Sequence, residues 1–120
     1  MSTEEMSEIQ ECPVHYALTI LGGKWKLYIV WMLTQQKCIR FNELQRRIGG
    51  ISAIMLSKNL QELEASGIVV RKQYDTLPPK VEYSLSELGE KIKPALDSLG
   101  NWGVEAYQFA QQHAENCVDE

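Results

Sequence analysis

The chain has 120 residues, 44% of them hydrophobic and 23% charged, which suits one globular domain with a core and leaves too little chain for two. No apolar run approaches the length of a membrane span, and the acidic N-terminus lacks the basic and apolar regions of a signal peptide, so a membrane or secreted protein is not expected. The formal net charge of −4 argues at first against a nucleic-acid partner.

The charge is unevenly spread. Residues 1–11 carry four glutamates and no base, and residues 114–120 carry three acids and no base. Between residues 37 and 80 there are eight basic and four acidic side chains, a net of +4. The acidity therefore sits in the expected N-terminal arm (1–11) and tail (114–120), and a basic face on the body between them, 12–113, stays available. Cys12, Cys38 and Cys117 have unrelated spacings that make no disulfide framework and fit a reducing cytoplasm.

Pro13 suits the first position of a helix whose apolar face is Val14, Ala17, Leu18 and Leu21, and Gly22-Gly23 ends it. Lys24–Thr34 follows, apolar almost all round, as expected of a helix central to a core or an interface. Cys38-Ile39-Arg40 reads as a very short strand. Phe41, Leu44 and Ile48 share one helical face that stops at Gly49-Gly50. Ser52 is a good N-cap for the next helix, 52–66, with its stripe Leu56, Leu60 and Leu63 and its stop at Gly67. Two short helices around a glycine turn give a helix-turn-helix pattern.

Ile68–Tyr74 and Val81–Leu85 read as strands, and Pro78-Pro79 between them cannot continue a ladder, so 75–80 is a hairpin tip. Ser86 can cap the last helix, on which Leu88, Ile92, Leu96, Leu99, Trp102, Ala106 and Phe109 recur every three or four residues; Pro94 is expected to kink it or split off its start. The expected fold class is α+β, mostly α: a winged helix-turn-helix over 37–85, with a two- or three-stranded β-wing and N- and C-terminal dimerisation helices. A second copy is expected to cover the long apolar stripe of the last helix.

A helix-turn-helix followed at once by a wing places helix 52–66 for the major groove of double-stranded DNA and the wing for its flank. Ser52, Ala53, Ile54, Ser57, Lys58 and Gln61 face away from the leucine stripe. Ser57 and Gln61 can hydrogen-bond base edges, Lys58 can reach a guanine or a phosphate, and Ala53 and Ile54 offer apolar contact, as to a thymine methyl. Lys80 is the expected wing contact. Arg40, Arg46, Arg47, Arg71 and Lys72 are candidates for phosphate, although strand alternation puts only one of Arg71 and Lys72 on a given face. Cys12 stands at a helix start, where the dipole and free N–H groups favour a thiolate while four nearby glutamates oppose it, which leaves it a candidate redox sensor; an electrophile or, separately, a small molecule bound between the dimer helices is the candidate effector. Cys38 reads as a small core residue. The pairs Cys12/His15 and His113/Cys117 fall short of the four ligands of a closed zinc site, so no metal and no cofactor is expected. No nucleophile–base order, phosphate loop or paired catalytic carboxylates appear, so no catalytic residue is assigned.

The sequence also resembles the HxlR-type transcriptional regulators, relatives of the MarR-like winged-helix proteins. The resemblance runs in order through Cys12-Pro13-Val14, Gly22-Gly23-Lys24-Trp25, Arg40-Phe41-Asn42-Glu43-Leu44, Ile51-Ser52 with Met55-Leu56, Leu60-Gln61-Glu62-Leu63-Glu64, Gly67-Ile68-Val69, Pro78–Leu85, Gly89 and Asn101-Trp102-Gly103. It implies a homodimeric regulator on a roughly palindromic operator, and in some members a sensing cysteine at the position of Cys12. It also implies a basic or amide side chain near position 54, and Ile54 departs from that. The alternative reading is a winged-helix protein-interaction module without DNA binding, which the acidic net charge and the apolar pair Ala53-Ile54 favour.

Overall fold

The computed structural model describes residues 12–116. The acidic arm at 1–11, and residues 117–120 of the expected tail with Cys117, lie outside the described residues. The chain divides into two compact units between Glu90 and Lys91.

The first unit begins with α1 (Pro13–Leu21) and α2 (Lys26–Gln35). Helix α2 starts two residues later than its apolar run suggests, because Trp25 takes the N-cap position. Only Ile29, Val30 and Leu33 of that run are buried, so the helix packs along one side. Strand β1 (Ile39–Arg40) leads directly into α3 (Phe41–Ile48), and α4 (Ala53–Ala65) follows. Between α3 and α4, Gly49 and Gly50 take φ of 68° and 70°, a left-handed turn that side chains with a Cβ resist. Gln45 braces this turn by donating its side-chain amide to the Ile51 carbonyl at 3.2 Å.

Helix α4 opens on Ser52, whose Oγ accepts from the Met55 amide at 3.1 Å. It closes in a Schellman arrangement: the Gly67 amide donates to the Glu64 carbonyl and the Ile68 amide to the Leu63 carbonyl, each at 3.0 Å. That second bond holds Ile68 to the helix end, which is why the first wing strand begins one residue later than its β-branched run suggests.

Strands β2 (Val69–Tyr74) and β3 (Lys80–Leu85) pair antiparallel, and β3 pairs on its other edge with β1, giving a sheet of order β1-β3-β2. The pairing of Tyr74 with Lys80 closes the ladder below a tip at 75–79. Ser86 then caps α5 (Glu87–Glu90), a single short helix, rather than the long one, with its Oγ accepting from the Gly89 amide at 3.0 Å. The core of this unit is Leu21, Ile29, Val30, Leu33, Ile39, Leu44, Ile48, Ile51, Leu56, Leu60, Leu63, Ile68, Val69 and Tyr83. The three leucines expected beneath α4 are all in it, each no more than 1% exposed.

The second unit is α6 (Lys93–Asn116), 24 residues and about 36 Å long. Pro94 stands in its first turn, where a proline costs no hydrogen bond, so the expected split falls just before it. Leu99, Trp102, Val104, Tyr107 and Phe109 are exposed, and Phe109 stacks on His113 with ring centroids 4.0 Å apart. No helix among the described residues is long and apolar enough to cross a membrane.

Candidate nucleic-acid interface

The leucine stripe fixes the roll of α4. With Leu56, Leu60 and Leu63 inward, Ala53, Ile54, Ser57, Lys58 and Gln61 line one outward cleft of about 500 Å³. Phe41, the first residue of α3, forms its far wall. Five of the six candidates on this helix therefore share a surface. Ile54 is 84% exposed, and the Gln61 side-chain amide reaches the Ser57 hydroxyl at 3.4 Å, one turn back along the helix. The sixth, Ser52, stands just before the helix with its hydroxyl occupied as the cap.

A second groove, of about 770 Å³, runs between the start of α3 and the wing tip. Arg40, Asn42, Glu43 and Arg46 line one side, and Thr76, Leu77, Pro78, Pro79 and Lys80 the other. Phe41 lines this groove as well as the α4 cleft, so the two border each other across its side chain. Arg40 and Arg46 are exposed there, whereas Arg47 is not among the lining residues and pairs with Glu43, which is, at 2.9 Å.

Lys80 sits at the foot of the tip rather than on it. Its Nζ lies 3.2 Å from a Glu82 oxygen and 4.7 Å from the centre of the Tyr74 ring. Tyr74 also donates its hydroxyl to Glu82 at 3.3 Å, and Lys72 covers the same ring at 4.9 Å. Lys80 and the other hydrogen bonds hold the Glu82 carboxyl below its ordinary value, against the opposing effect of burial. Cys38 differs from its expectation as a plain core residue. It is half-buried against Glu82, and that carboxylate, with burial, pushes the thiol up, away from the reactive thiolate. Arg71 is exposed on β2 and donates to Gln73 at 3.4 Å. Its position opposite Tyr83 puts it on the other face of the sheet from Lys72, and it lines neither cleft. Cys12 is also outside both: it caps α1, its Sγ accepting from the His15 amide at 3.3 Å.

Three contributors escaped the sequence reading. Phe41 and Gln45 show only as members of an amphipathic helix. Lys26 was hidden in an apolar run, yet its Nζ meets Glu62 of α4 at 2.6 Å. This pair neutralises an acid on the helix that carries Lys58. The Lys26 hydrogen bond holds the Glu62 carboxyl below its ordinary value. A depressed folded-state value means that the pair stabilises the fold above the ordinary glutamate range and ceases to do so as pH falls through the folded value. In thermal melts taken between neutral and acid pH, Lys26→Met is expected to melt below the wild type at neutral pH, with the gap closing in acid. A gap that persists in strong acid would assign Lys26 a packing role instead.

This geometry can be set beside known proteins. A family model described as HxlR-like helix-turn-helix matches residues 20–112. An HTH-type transcriptional regulator of Halalkalibacterium halodurans is 47% identical over 100 residues, covering 83% of this chain and 88% of its own. Among solved structures, the redox regulator HypR in its reduced form matches with a TM-score of 0.78 at 39% identity, covering 83% of this chain and 98% of that one. Its oxidised form matches at 0.73 and 42% identity, covering 78% and 96%. A MarR-family structure from Porphyromonas gingivalis W83 matches at 0.75 and 44% identity, covering 79% and 92%.

Proposed function

The chain belongs to the HxlR-like helix-turn-helix family, and on that footing we propose that it regulates transcription by binding double-stranded DNA as a homodimer. Helix α4 enters the major groove and the wing lies against the flanking duplex. The observation that carries this reading is the α4 cleft. It presents one cation, two hydrogen-bonding side chains and an apolar pair on a helix whose other side is locked into the core. Lys58 and Gln61 suit guanine and adenine edges, Ser57 suits either, and Ala53 and Ile54 suit thymine methyls. Arg40 and Arg46 serve the phosphates.

The homodimer draws support from apolar surface. Val14, Tyr16 and Leu18 of α1 are exposed, as is the row on α6, and apolar side chains in such numbers favour a second copy as cover. A two-fold dimer sets its reading helices about one helical turn apart, or a multiple of it, and so selects a roughly palindromic operator. Regulation by oxidants or electrophiles through Cys12 draws support from its exposure at the start of α1 and from the likeness to HypR, a redox regulator whose oxidised and reduced forms are both solved. The second reading, a protein-docking module, is favoured by the exposure of Ile54 and Met55 at the front of α4.

Mobility shifts on DNA upstream of the protein's own gene and of neighbouring promoters separate these readings. Salt-sensitive, sequence-dependent binding is expected, with Lys58→Gln weakening it and lowering the salt slope by about one. Diamide treatment is expected to change the affinity of the wild type and not of Cys12→Ser. Absence of specific binding at every promoter would favour the docking module, and an affinity unmoved by diamide would remove the redox part alone.

A further inference from the structure

With the wing against the flanking duplex, as proposed above, we infer that Leu77 at its point is an apolar wedge that determines specificity in the minor groove beside the α4 site, the groove behind it holding the intervening sugar-phosphate strand. This rests on the DNA-binding reading and adds to it a specificity-determining residue and a chemistry of recognition.

The first observation is adjacency. Phe41 belongs to both the α4 cleft and the tip groove. In duplex DNA the major groove is separated from the neighbouring minor groove by one phosphate strand. With α4 in the major groove, that strand passes over Phe41 and along the tip groove, where Arg40 and Arg46 supply the complementary charge and the one carboxylate of the lining, Glu43, is paired with Arg47 at 2.9 Å. The element beyond the strand is the tip, which therefore meets the minor groove.

The second observation is what the tip carries. Residues 75–79 are Asp, Thr, Leu, Pro and Pro, with no cation among them. The next cation along the chain, Lys80, is held back by Glu82 and the Tyr74 ring. Leu77 is 100% exposed, and the Thr76 hydroxyl closes the loop by donating to the Pro78 carbonyl at 2.8 Å. A hydrophobic side chain held clear of its neighbours among the described residues, on a tip that offers no positive charge, suits the apolar walls of a minor groove and not its phosphates. Leucine and proline are among the side chains that minor-groove proteins insert against base steps.

The floor of that groove then decides the preference. Guanine projects its 2-amino group into the minor groove, and A·T pairs do not. Leucine cannot accept a hydrogen bond from that amine and is obstructed by it. The tip therefore disfavours G·C pairs in the flank, without direct readout of any other base difference.

The test uses the full chain and a duplex that it enriches from a random-sequence pool. The flanking pairs are rebuilt as G·C, A·T or inosine·C; inosine keeps the major-groove pattern of guanine and lacks only the 2-amino group. Wild type is expected to bind the A·T and inosine·C flanks about equally, and each about tenfold more tightly than the G·C flank. Leu77→Ala should bring the three within about twofold of one another and leave the salt slope unchanged, because no charge is removed. Leu77→Arg should raise the slope by about one. A flank preference that survives Leu77→Ala, or equal binding of all three flanks by the wild type, overturns the wedge while leaving the α4 reading intact. A pool from which nothing is enriched overturns the DNA-binding reading itself, and the wedge with it.

Discussion

Leu56→Ala is expected to cost about 3 kcal/mol of folding stability, within the usual range for emptying a core leucine site. Leu56 is 0% exposed and belongs to the first half of α4, the half that carries Ala53, Ile54, Ser57 and Lys58. The loss is a large part of what a domain of this size has in hand. It should lower the thermal midpoint by more than 10 °C, at roughly 4–8 °C per kcal/mol. Denaturant melts with Leu56→Met as the volume-conserving control measure it, and the control should stay within about 1.5 kcal/mol of the wild type. A loss below 1 kcal/mol for the alanine variant would mean that α4 is not seated on its leucines as described. DNA affinity is expected to fall with stability, because the cleft exists only while the stripe beneath it is packed.

The second large effect comes from the smallest side chain. On an open helix Gly→Ala stabilises by up to about 1 kcal/mol. At Gly89 the sign should reverse. An added Cβ would lie inside contact distance of the Ile68 carbonyl oxygen and 3.2 Å from Leu85 Cδ2. That carbonyl is already engaged by the Ser86 amide at 2.9 Å, so α5 must back away from the base of the wing. Overpacking of this kind costs about 1–3 kcal/mol, and Gly89→Ala is expected to lose about 2. Among the described residues Gly100 in α6 has nothing within 4 Å of such a Cβ, so Gly100→Ala should gain stability. Paired melts therefore predict opposite shifts from one substitution at two helical glycines. A rise at Gly89 would contradict the close approach.

How much of this was legible depended on the range of the interaction. Local signals served well. Ser52 before a leucine stripe, Gly49-Gly50 between two helices and Pro78-Pro79 between two strand runs each act within a few residues, and each marks the feature it announced. Pro94 announced a split for the same reason. Boundaries set by a tertiary bond were misplaced. Ser86 serves α5 because its amide and hydroxyl answer to Ile68, Gly67 and Gly89, none of which a helical period reveals.

The candidate interface follows the same division. The α4 cleft was readable, since one inward stripe dictates the outward residues. The grip on Lys80 was not, because Glu82 and Tyr74 are brought to it by strand register. Nor was Phe41, whose importance lies in bordering two depressions whose other linings are distant in sequence.

Ile54 projects from the reading face while contributing nothing to the core. Substitutions at such exposed positions typically shift stability by less than about 0.5 kcal/mol. Position 54 can therefore change chemistry freely, from apolar to basic or amide, while every buried leucine stays in place. Gene duplicates of this protein could diverge in their target promoters through single codon changes there, without passing through an unfolded ancestor. Selection on the regulatory network and selection on the fold act on different residues of the same helix.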